Sequence, residues 1–273
     1  MAFSYSASPT PLHALSLSLS PPPKHTHTHT EQWQMAMSLA IGLRILFCVL
    51  GCVMLATLIN TLSVDGFPFR KDLLTPWMLA TLIDFYINVV ALGAWVCYKE
   101  SNWISASLWI VLLVCFGSIT TCFYIVLQFL KLSIHDALED PIHYVLLRYP
   151  TKDGVEDKRR FSVVTTKNSF SALGCLMLAT LVYTLLTDGS PFRGELFTPW
   201  MTATLIDFYI NVVALSVWVA YKESSWLNAF IWIVLLICFG SITTCTYIVR
   251  QLFHLLSQDP VYLVLLKSSN RQV

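Results

Sequence analysis

The chain has 273 residues, of which 56% are hydrophobic and only 12% are charged, and its formal net charge is +1. Soluble domains carry about 25% charged residues, so this composition indicates a membrane protein built from long apolar helices. The near-neutral charge argues against the strongly basic surface with which proteins attract nucleic acid. The expected partner is therefore a lipid bilayer, and no nucleic acid is expected.

The first 34 residues differ in composition from the rest of the chain. They are rich in Ser, Pro and Leu, and they include a His-Thr tract at 25–30. Because such a segment cannot build a hydrophobic core, residues 1–36 are predicted to be a disordered, low-complexity extension. Two interpretations remain open: a plastid transit peptide, or an upstream extension of the gene model with Met35 or Met37 as the working start. We favour the second, which leaves an endomembrane or the plasma membrane as the expected location.

The remaining chain is organised as two three-helix repeats, residues 37–131 and 161–273, joined by a polar connector at 132–160. A helix needs about 20 apolar residues to cross a bilayer. Six segments meet this length and are predicted to span: about 39–62, 76–98, 103–130, 170–186, 199–220 and 226–256.

The second repeat copies the first at a constant offset of 123 residues. The segment T-L-I-D-F-Y-I-N-V at 81–89 recurs at 204–212, and C-F-G-S-I-T-T-C at 115–122 recurs at 238–245. Three spans are an odd number, so the second repeat would enter the membrane in the opposite orientation. The expected fold is an all-α integral membrane protein with six transmembrane helices in an inverted 3+3 tandem repeat, an arrangement found in many transporters. The basic connector, with Lys158, Arg159 and Arg160, would face the cytosol or stroma and place both termini on the far side.

An aspartate lies in the middle of the second predicted span of each repeat. Asp84 lies about 12 Å from Pro76 at 1.5 Å per residue, near the centre of a core roughly 30 Å thick. An aspartate there costs on the order of 3 kcal/mol on insertion scales, so it should face other helices rather than lipid. The spacing of four and three residues predicts a packing seam, with lipid-facing Leu, Ile, Val and Phe on the remaining faces. The two seams are expected to face each other, and they comprise Trp77, Thr81, Asp84, Asn88, Ala91 and Trp95, and Trp200, Thr204, Asp207, Asn211, Ala214 and Trp218.

Two interpretations of the buried carboxylates remain open. The first is a polar clamp between helices, in which each interhelical hydrogen bond contributes about 0.6 to 2 kcal/mol. The second is a binding site for a proton, a cation or a small solute, formed by Asp84, Asn88 and Thr81 and by Asp207, Asn211 and Thr204. Hydroxyl partners are expected from the same repeat, namely Thr57, Thr120 or Thr121 for Asp84 and Thr180, Thr243 or Thr244 for Asp207.

Two further sets of residues receive structural interpretations. Lys99-Glu100 and Lys222-Glu223 are interpreted as loop charges that anchor tight turns and aid solubility. Small residues in the third span of each repeat predict a close helix-packing face. That face consists of Gly117, Ser118 and Thr121 in the first repeat and Gly240, Ser241 and Thr244 in the second.

No catalytic constellation is recognisable in the sequence. The common zinc, nucleophile-elbow and P-loop motifs are absent, and no histidine lies well inside a predicted span. The eight cysteines are interpreted as small packing residues. We therefore expect no enzyme activity, no cofactor and no metal.

The repeated motifs resemble a known family. The patterns D-G-x-P-F-R-x-x-L-x-T-P-W at 65–77 and Y-K-E-S-x-W at 98–103, with the two segments above, are similar to a plant membrane protein family catalogued as domain of unknown function 1475. The resemblance covers the chain from about residue 37. It implies a duplicated multi-pass membrane protein of plants, and it supplies neither an activity nor a site.

Two functions are compatible with these features. The first is a small-solute or ion transporter, or an accessory to one, that uses the Asp/Asn pairs. The second is a non-catalytic membrane scaffold or assembly factor, whose protein partners the sequence does not identify.

Overall fold

A computed structural model describes residues 25–67, 70, 73–148, 162–256 and 259–266, with side chains from Trp33 onward. The described part of the chain is helical, with 3-10 turns at Gly194–Leu196 and Val261–Val264. Its α-helices are α1 His25–Asp65, α2 Pro76–Lys99, α3 Trp103–Phe116, α4 Ser118–Leu130, α5 Ile134–Glu139, α6 Pro141–Leu146, α7 Val163–Asp188, α8 Pro199–Lys222, α9 Trp226–Phe239 and α10 Ser241–Phe253.

The central helices α2 and α8 begin as the sequence predicts. Thr75 and Thr198 are their N-cap residues, and each hydroxyl accepts the backbone N–H of the residue three positions on, at 3.2 Å. The following proline fits the first helical turn because its missing N–H would have no intrahelical acceptor there. The T-P-W motif therefore fixes where both helices start.

Four of the described helices are long and apolar enough to cross a membrane: α1 from Trp33 onward, α2, α7 and α8. The predicted third span of each repeat is instead divided into two helices of 14 and 13 residues, α3 with α4 and α9 with α10. Six spans are thus not confirmed.

Helix α4 folds back alongside α3. The Thr120 hydroxyl donates to the Leu112 carbonyl at 2.9 Å, and the rings of Trp109 and Tyr124 lie 4.9 Å apart between centroids. Further along, the Tyr124 hydroxyl reaches Glu100, which precedes α3, and donates to its carboxylate at 2.9 Å. Along these contacts, residues further into α4 meet residues nearer the start of α3 and the turn before it. The two helices therefore form an antiparallel hairpin that returns to the end of the molecule from which it started.

The second repeat forms the same hairpin from α9 and α10. Thr243 donates to the Leu235 carbonyl at 2.8 Å, the rings of Trp232 and Tyr247 lie 5.0 Å apart, and Tyr247 donates to Glu223 at 2.9 Å. Each repeat thus consists of two long helices and one hairpin.

The two repeats run in the same direction. At the start of α2 and α8, Trp77 and Met78 pack against Trp200 and Met201 in one buried cluster. At the other end, the Tyr221 hydroxyl donates to the Asp140 carboxylate at 2.8 Å, and Tyr98 stacks on Tyr262 with 5.5 Å between ring centroids. This parallel course contradicts the predicted inverted repeat. The physical reason is the hairpin, because two crossings and one return bring the chain back to its starting face.

The pseudo-twofold axis between α2 and α8 is filled by apolar side chains. They belong to one buried cluster together with Tyr124 and Tyr247. The expectation that these faces contact lipid was wrong, because α2 and α8 use a second face to pack on each other. The axial residues are Phe85, Val89, Leu92 and Val96 from α2 and Phe208, Val212, Leu215 and Val219 from α8.

We call the end where α2 and α8 begin the loop face and the end where they finish the tail face. Arg44 of α1 donates to the Phe129 carbonyl at the end of α4 at 2.5 Å, and Lys167 of α7 lies 4.4 Å from the ring centroid of Phe253 at the end of α10. The chain therefore enters and leaves both repeats at the tail face. The predicted placement of the connector opposite both termini is contradicted.

The lysines predicted as loop charges are buried, with exposed fractions of 9% for Lys99 and 2% for Lys222. The Lys99 ammonium donates to the carbonyls of Tyr144, at 2.7 Å, and Leu147. Lys222 donates to the carbonyls of Val264 and, at 2.6 Å, Leu266. Lysine commonly satisfies the unpaired carbonyls where a helix ends. Each lysine thus holds the segment that follows the hairpin of its own repeat, at 144–147 or 264–266, against the end of the central helix. We call these two segments the tail segments.

The predicted disordered extension is contradicted in part. Residues 25–36 belong to α1, which continues past the bilayer-length segment, and residues 1–24 lie outside the described residues. Ala40 and Leu43 of α1 are buried in one cluster with Val145 of α6. Once such packing nucleates a helix, each added residue gains one hydrogen bond, so the helix extends upstream.

Candidate functional site

Each buried aspartate accepts a hydrogen bond from the hairpin of the other repeat. The Ser241 backbone N–H donates to Asp84 Oδ1 at 2.7 Å, and the Ser118 backbone N–H donates to Asp207 Oδ1 at 2.7 Å. Ser241 and Ser118 are the first residues of α10 and α4. The two carboxylates therefore cap the two return helices reciprocally, across the interface between repeats.

Gly117 and Gly240 make this contact sterically feasible. Their φ angles are +52° and +51°, and a Cβ added at either would lie 2.3 Å from Oδ2 of the facing aspartate. An N-cap residue usually supplies its own side-chain oxygen to the first turn of a helix. Glycine has none, so the aspartate of the opposite repeat supplies it. A negative charge at a helix N-terminus also interacts favourably with the helix dipole, by up to about 2 kcal/mol in partly buried geometries.

The asparagines lie one turn further along α2 and α8 and are completely buried. The Thr244 hydroxyl donates to Asn88 Oδ1 at 2.8 Å, again between repeats. In the other half, the Thr121 hydroxyl donates to the Gly117 carbonyl at 3.5 Å, and neither amide atom of Asn211 has a hydrogen-bond partner. The two sites are thus equal in residue types but differ in how far their hydrogen bonds are completed.

Several buried polar atoms around the carboxylates have no partner. They are the Ser118 and Ser241 hydroxyls, Asn88 Nδ2 and both side-chain polar atoms of Asn211. The Ser241 hydroxyl lies beside the Asp84 carboxylate without meeting it in hydrogen-bonding geometry. Most buried polar groups in proteins are hydrogen-bonded, so a cluster of unpartnered atoms needs an explanation.

The predicted threonine partners do not bond to the aspartates. Thr81 and Thr204 donate to carbonyls of their own helices at 2.9 Å. Thr57 and Thr180 are half-buried and do the same in α1 and α7. Thr120 and Thr243 stabilise the hairpin turns instead, as described above. The seam prediction thus placed Asp84 and Asp207 between helices but paired them within the wrong repeat.

The two seams do not face each other. The Asp/Asn face of α2 lies against α10, and neighbouring Ile87 packs with Phe170 and Met177 of α7. Since apolar side chains occupy the axis between α2 and α8, the molecule has two separate off-axis sites. In the described part of the chain, no lysine or arginine bonds to either carboxylate.

Sequence reasoning missed the helix breaks at Gly117 and Gly240, which it treated as a packing face. Two signals pointed to them. The predicted third spans, 103–130 and 226–256, exceed the length that a bilayer requires. In addition, a Gly-Ser pair inside an apolar run favours a turn, and Ser and Thr suit the first turn of a new helix.

Comparison with known proteins agrees with the duplication. The model of a family described as a protein of unknown function, DUF1475, matches the chain twice, at residues 29–153 and 138–272. No curated protein and no solved structure matches the chain. The first match begins upstream of residue 37 and includes the tail segment that Lys99 binds. The chain therefore belongs to the DUF1475 family and contains two copies of its domain.

Proposed function

We propose that the chain is a multi-pass protein of an endomembrane or the plasma membrane, and that it transports a small solute or an ion, or assists such a transporter. The observation that supports this proposal is the pair of hairpins whose breaks meet the carboxylates Asp84 and Asp207. At 1.5 Å per residue, the 14-residue α3 and α9 reach about 21 Å from the tail face, well into a core roughly 30 Å thick.

Broken helices are uncommon at this depth for an energetic reason. Unpaired backbone groups cost several kcal/mol in hydrocarbon, so non-helical backbone occurs where protein buries it or where it lines a water-filled cavity. Transporters place such breaks at their binding sites, with the ends of half-helices directed at the bound ion or solute. Ionisable residues at this depth are also functional candidates by default. The unpartnered serine and asparagine atoms beside the carboxylates support the same interpretation.

Flux measurements on the reconstituted protein test the proposal. The full chain in liposomes is assayed with a pH-sensitive dye for protons, with isotopic Na⁺ and K⁺, and by swelling for neutral solutes. We expect flux of at least one of these above that of empty liposomes, and at least a tenfold loss in the double variant Asp84→Asn, Asp207→Asn. The matched control is Asp65→Asn with Asp188→Asn, because these partly exposed aspartates pair with arginines at the loop face, away from the buried carboxylates. Equal flux in the double variant and the parent would contradict the proposal.

A scaffold or assembly factor is the second candidate. The observation that favours it is that Oδ1 of each aspartate already accepts a helix N–H, while the axis is filled with apolar side chains. On this alternative the carboxylates only fix how the repeats associate. Proximity labelling followed by affinity purification distinguishes the two functions, because a scaffold requires a stable, stoichiometric membrane partner.

A further inference from the structure

We propose that Asp84 and Asp207 each bind one proton, so that the chain carries two proton sites with the same residue types, related by the pseudo-twofold axis. This inference rests on the proposed transport function and names the ion. It follows from the free carboxylate oxygen, the adjacent unpartnered hydroxyl and the small number of oxygen ligands at each site.

The two oxygens of each carboxylate have different surroundings. Oδ1 accepts the backbone N–H of Ser241 or Ser118, whereas Oδ2 lies against Gly240 or Gly117 and accepts no hydrogen bond in the described part of the chain. A proton delivered by hydronium forms an O–H bond at Oδ2 and leaves a water molecule behind. The other oxygen becomes the carbonyl of the acid and still accepts the N–H. The site can therefore gain and lose a proton while the hairpin keeps its cap.

A buried hydroxyl is available for the proton that Oδ2 would carry. Ser241 and Ser118 have exposed fractions of 0%, and neither hydroxyl oxygen has a hydrogen-bond partner. The Ser241 hydroxyl lies beside Asp84 and the Ser118 hydroxyl beside Asp207. Serine oxygen accepts as well as donates, so it can receive a hydrogen bond from the protonated acid. Deprotonation leaves the same hydroxyl able to donate to the carboxylate.

The ligand set suits a proton better than a metal ion. Hard cations such as Ca²⁺ and Mg²⁺ take six or more oxygen ligands. Each site offers one free carboxylate oxygen and one serine hydroxyl. Asn88 Oδ1 is already occupied by Thr244, and the unpartnered Asn211 Oδ1 adds only a third oxygen at the Asp207 site. No group of three or more His, Cys, Asp or Glu side chains that could hold a metal occurs among the described residues. A proton requires only one of these oxygens.

Few other groups nearby could titrate in place of the aspartates. Cys245 of α10 interacts electrostatically with Asp84, and Cys122 of α4 does so with Asp207 and with Cys48 of α1. No charged side chain of the described helices contacts either carboxylate. Protonation therefore removes an isolated negative charge at each site, and the infrared signal of a carboxyl group identifies it separately from a thiol.

Infrared difference spectroscopy of the reconstituted full chain tests the proposal. On acidification, the C=O stretch of a protonated carboxyl should appear and should titrate. We expect Asp84→Asn or Asp207→Asn alone to remove about half of the component of this band that comes from buried carboxyls, and both together to abolish that component. Asp65→Asn plus Asp188→Asn is the control. Asparagine keeps an oxygen in the position of Oδ1, and an unchanged melting temperature confirms that the cap persists.

Three results would overturn the proton sites: a buried-carboxyl component that survives the double variant, no such component at any pH, or a component that Na⁺ or K⁺ displaces at constant pH. The outcome is separable from that of the flux assay. A titrating band without flux would retain the proton sites and reject transport. Flux of another ion, lost in the double variant without any carboxyl band, would retain transport and reject the proton sites.

Discussion

Two structural constraints favour glycine at positions 117 and 240. Each glycine adopts a positive φ and a ψ near −126°, and each leaves room for the opposing carboxylate. Backbone conformations of this kind cost side-chain-bearing residues on the order of 1–3 kcal/mol. A Cβ at either position would also clash with Oδ2 of the facing aspartate. This adds a steric penalty, because packing holds both the backbone and the capping carboxylate in place.

We therefore expect Gly117→Ala to destabilise the folded protein by at least about 2 kcal/mol from the strained backbone and the displaced carboxylate together. Thermal unfolding in detergent should show a melting temperature lower by several degrees. The matched control is Gly93→Ala in α2, where nothing lies within 4 Å of the added Cβ and alanine favours the helix. Equal melting temperatures for the two variants would mean that the hairpin turn tolerates a side chain.

The reciprocal caps predict that a substitution in one repeat destabilises a helix of the other repeat. Asp84→Leu removes the acceptor for the first N–H of α10, and loss of an N-cap costs about 0.5–2 kcal/mol. Amide hydrogen exchange should therefore rise at 241–247 by roughly 2- to 30-fold, while 118–124 in the same repeat as Asp84 stays protected. Asp84→Asn, which retains an acceptor, is the control. Faster exchange confined to 118–124 would show that the caps act within a repeat.

At the scale of elements, composition locates the apolar segments, but it does not determine how many times the chain crosses the membrane. The stretch at 103–130 has the hydropathy of one long span, and periodicity is the same for a straight helix and for two helices joined by a turn. The break depends on a tertiary contact, because the N-terminus of α4 after Gly117 is capped by Asp207 of the other repeat. Local sequence therefore predicted α2 and α8, with their T-P-W starts, far better than it predicted the hairpins.

The hairpin makes a direct prediction about membrane sidedness. Asn102 precedes α3 and Lys131 follows α4, and both side chains are exposed at the tail face. Cysteine placed at either position should react with a membrane-impermeant maleimide added to the same side of sealed vesicles. A cysteine at Leu74, exposed at the loop face, serves as the opposite-side reference, and the parent chain gives the background of its native thiols. Labelling of 102 and 131 from opposite sides would restore the six-span arrangement.

At the scale of the whole molecule, the duplication was readable from the sequence but its orientation was not. Counting three spans per repeat gives an inverted pair, whereas counting two spans and a hairpin gives a parallel pair. The three-span prediction also hid the distribution of charge, because it assigned the ends of each repeat to opposite faces. With both repeats parallel, the described residues that begin α7 and that end α4 and α10 lie at the tail face.

The parallel arrangement predicts a definite orientation in the membrane. Only three of the 17 lysines and arginines, Arg70, Lys71 and Arg193, belong to the loop-face segments, and the other fourteen belong to segments attached to the tail face. Positively charged residues near membrane helices concentrate on the cytoplasmic side, and a bias of this size sets the orientation. The tail face, with the start of α1, the connector and the end of α10, should therefore face the cytoplasm.

Glycosylation mapping in an endoplasmic-reticulum membrane tests this orientation. The native sequence contains no N-x-S/T acceptor site, so the parent chain is an unmodified reference. An acceptor site carried on a flexible insertion after Gly66 or Gly189, at the loop face, should be glycosylated, because that face would lie in the lumen. The same insertion in the connector at 152–158 or after Val273 should remain unmodified. Modification of the connector together with the C-terminal site would reverse the orientation but keep the parallel repeats, whereas modification of only one of the two would contradict the hairpin topology itself.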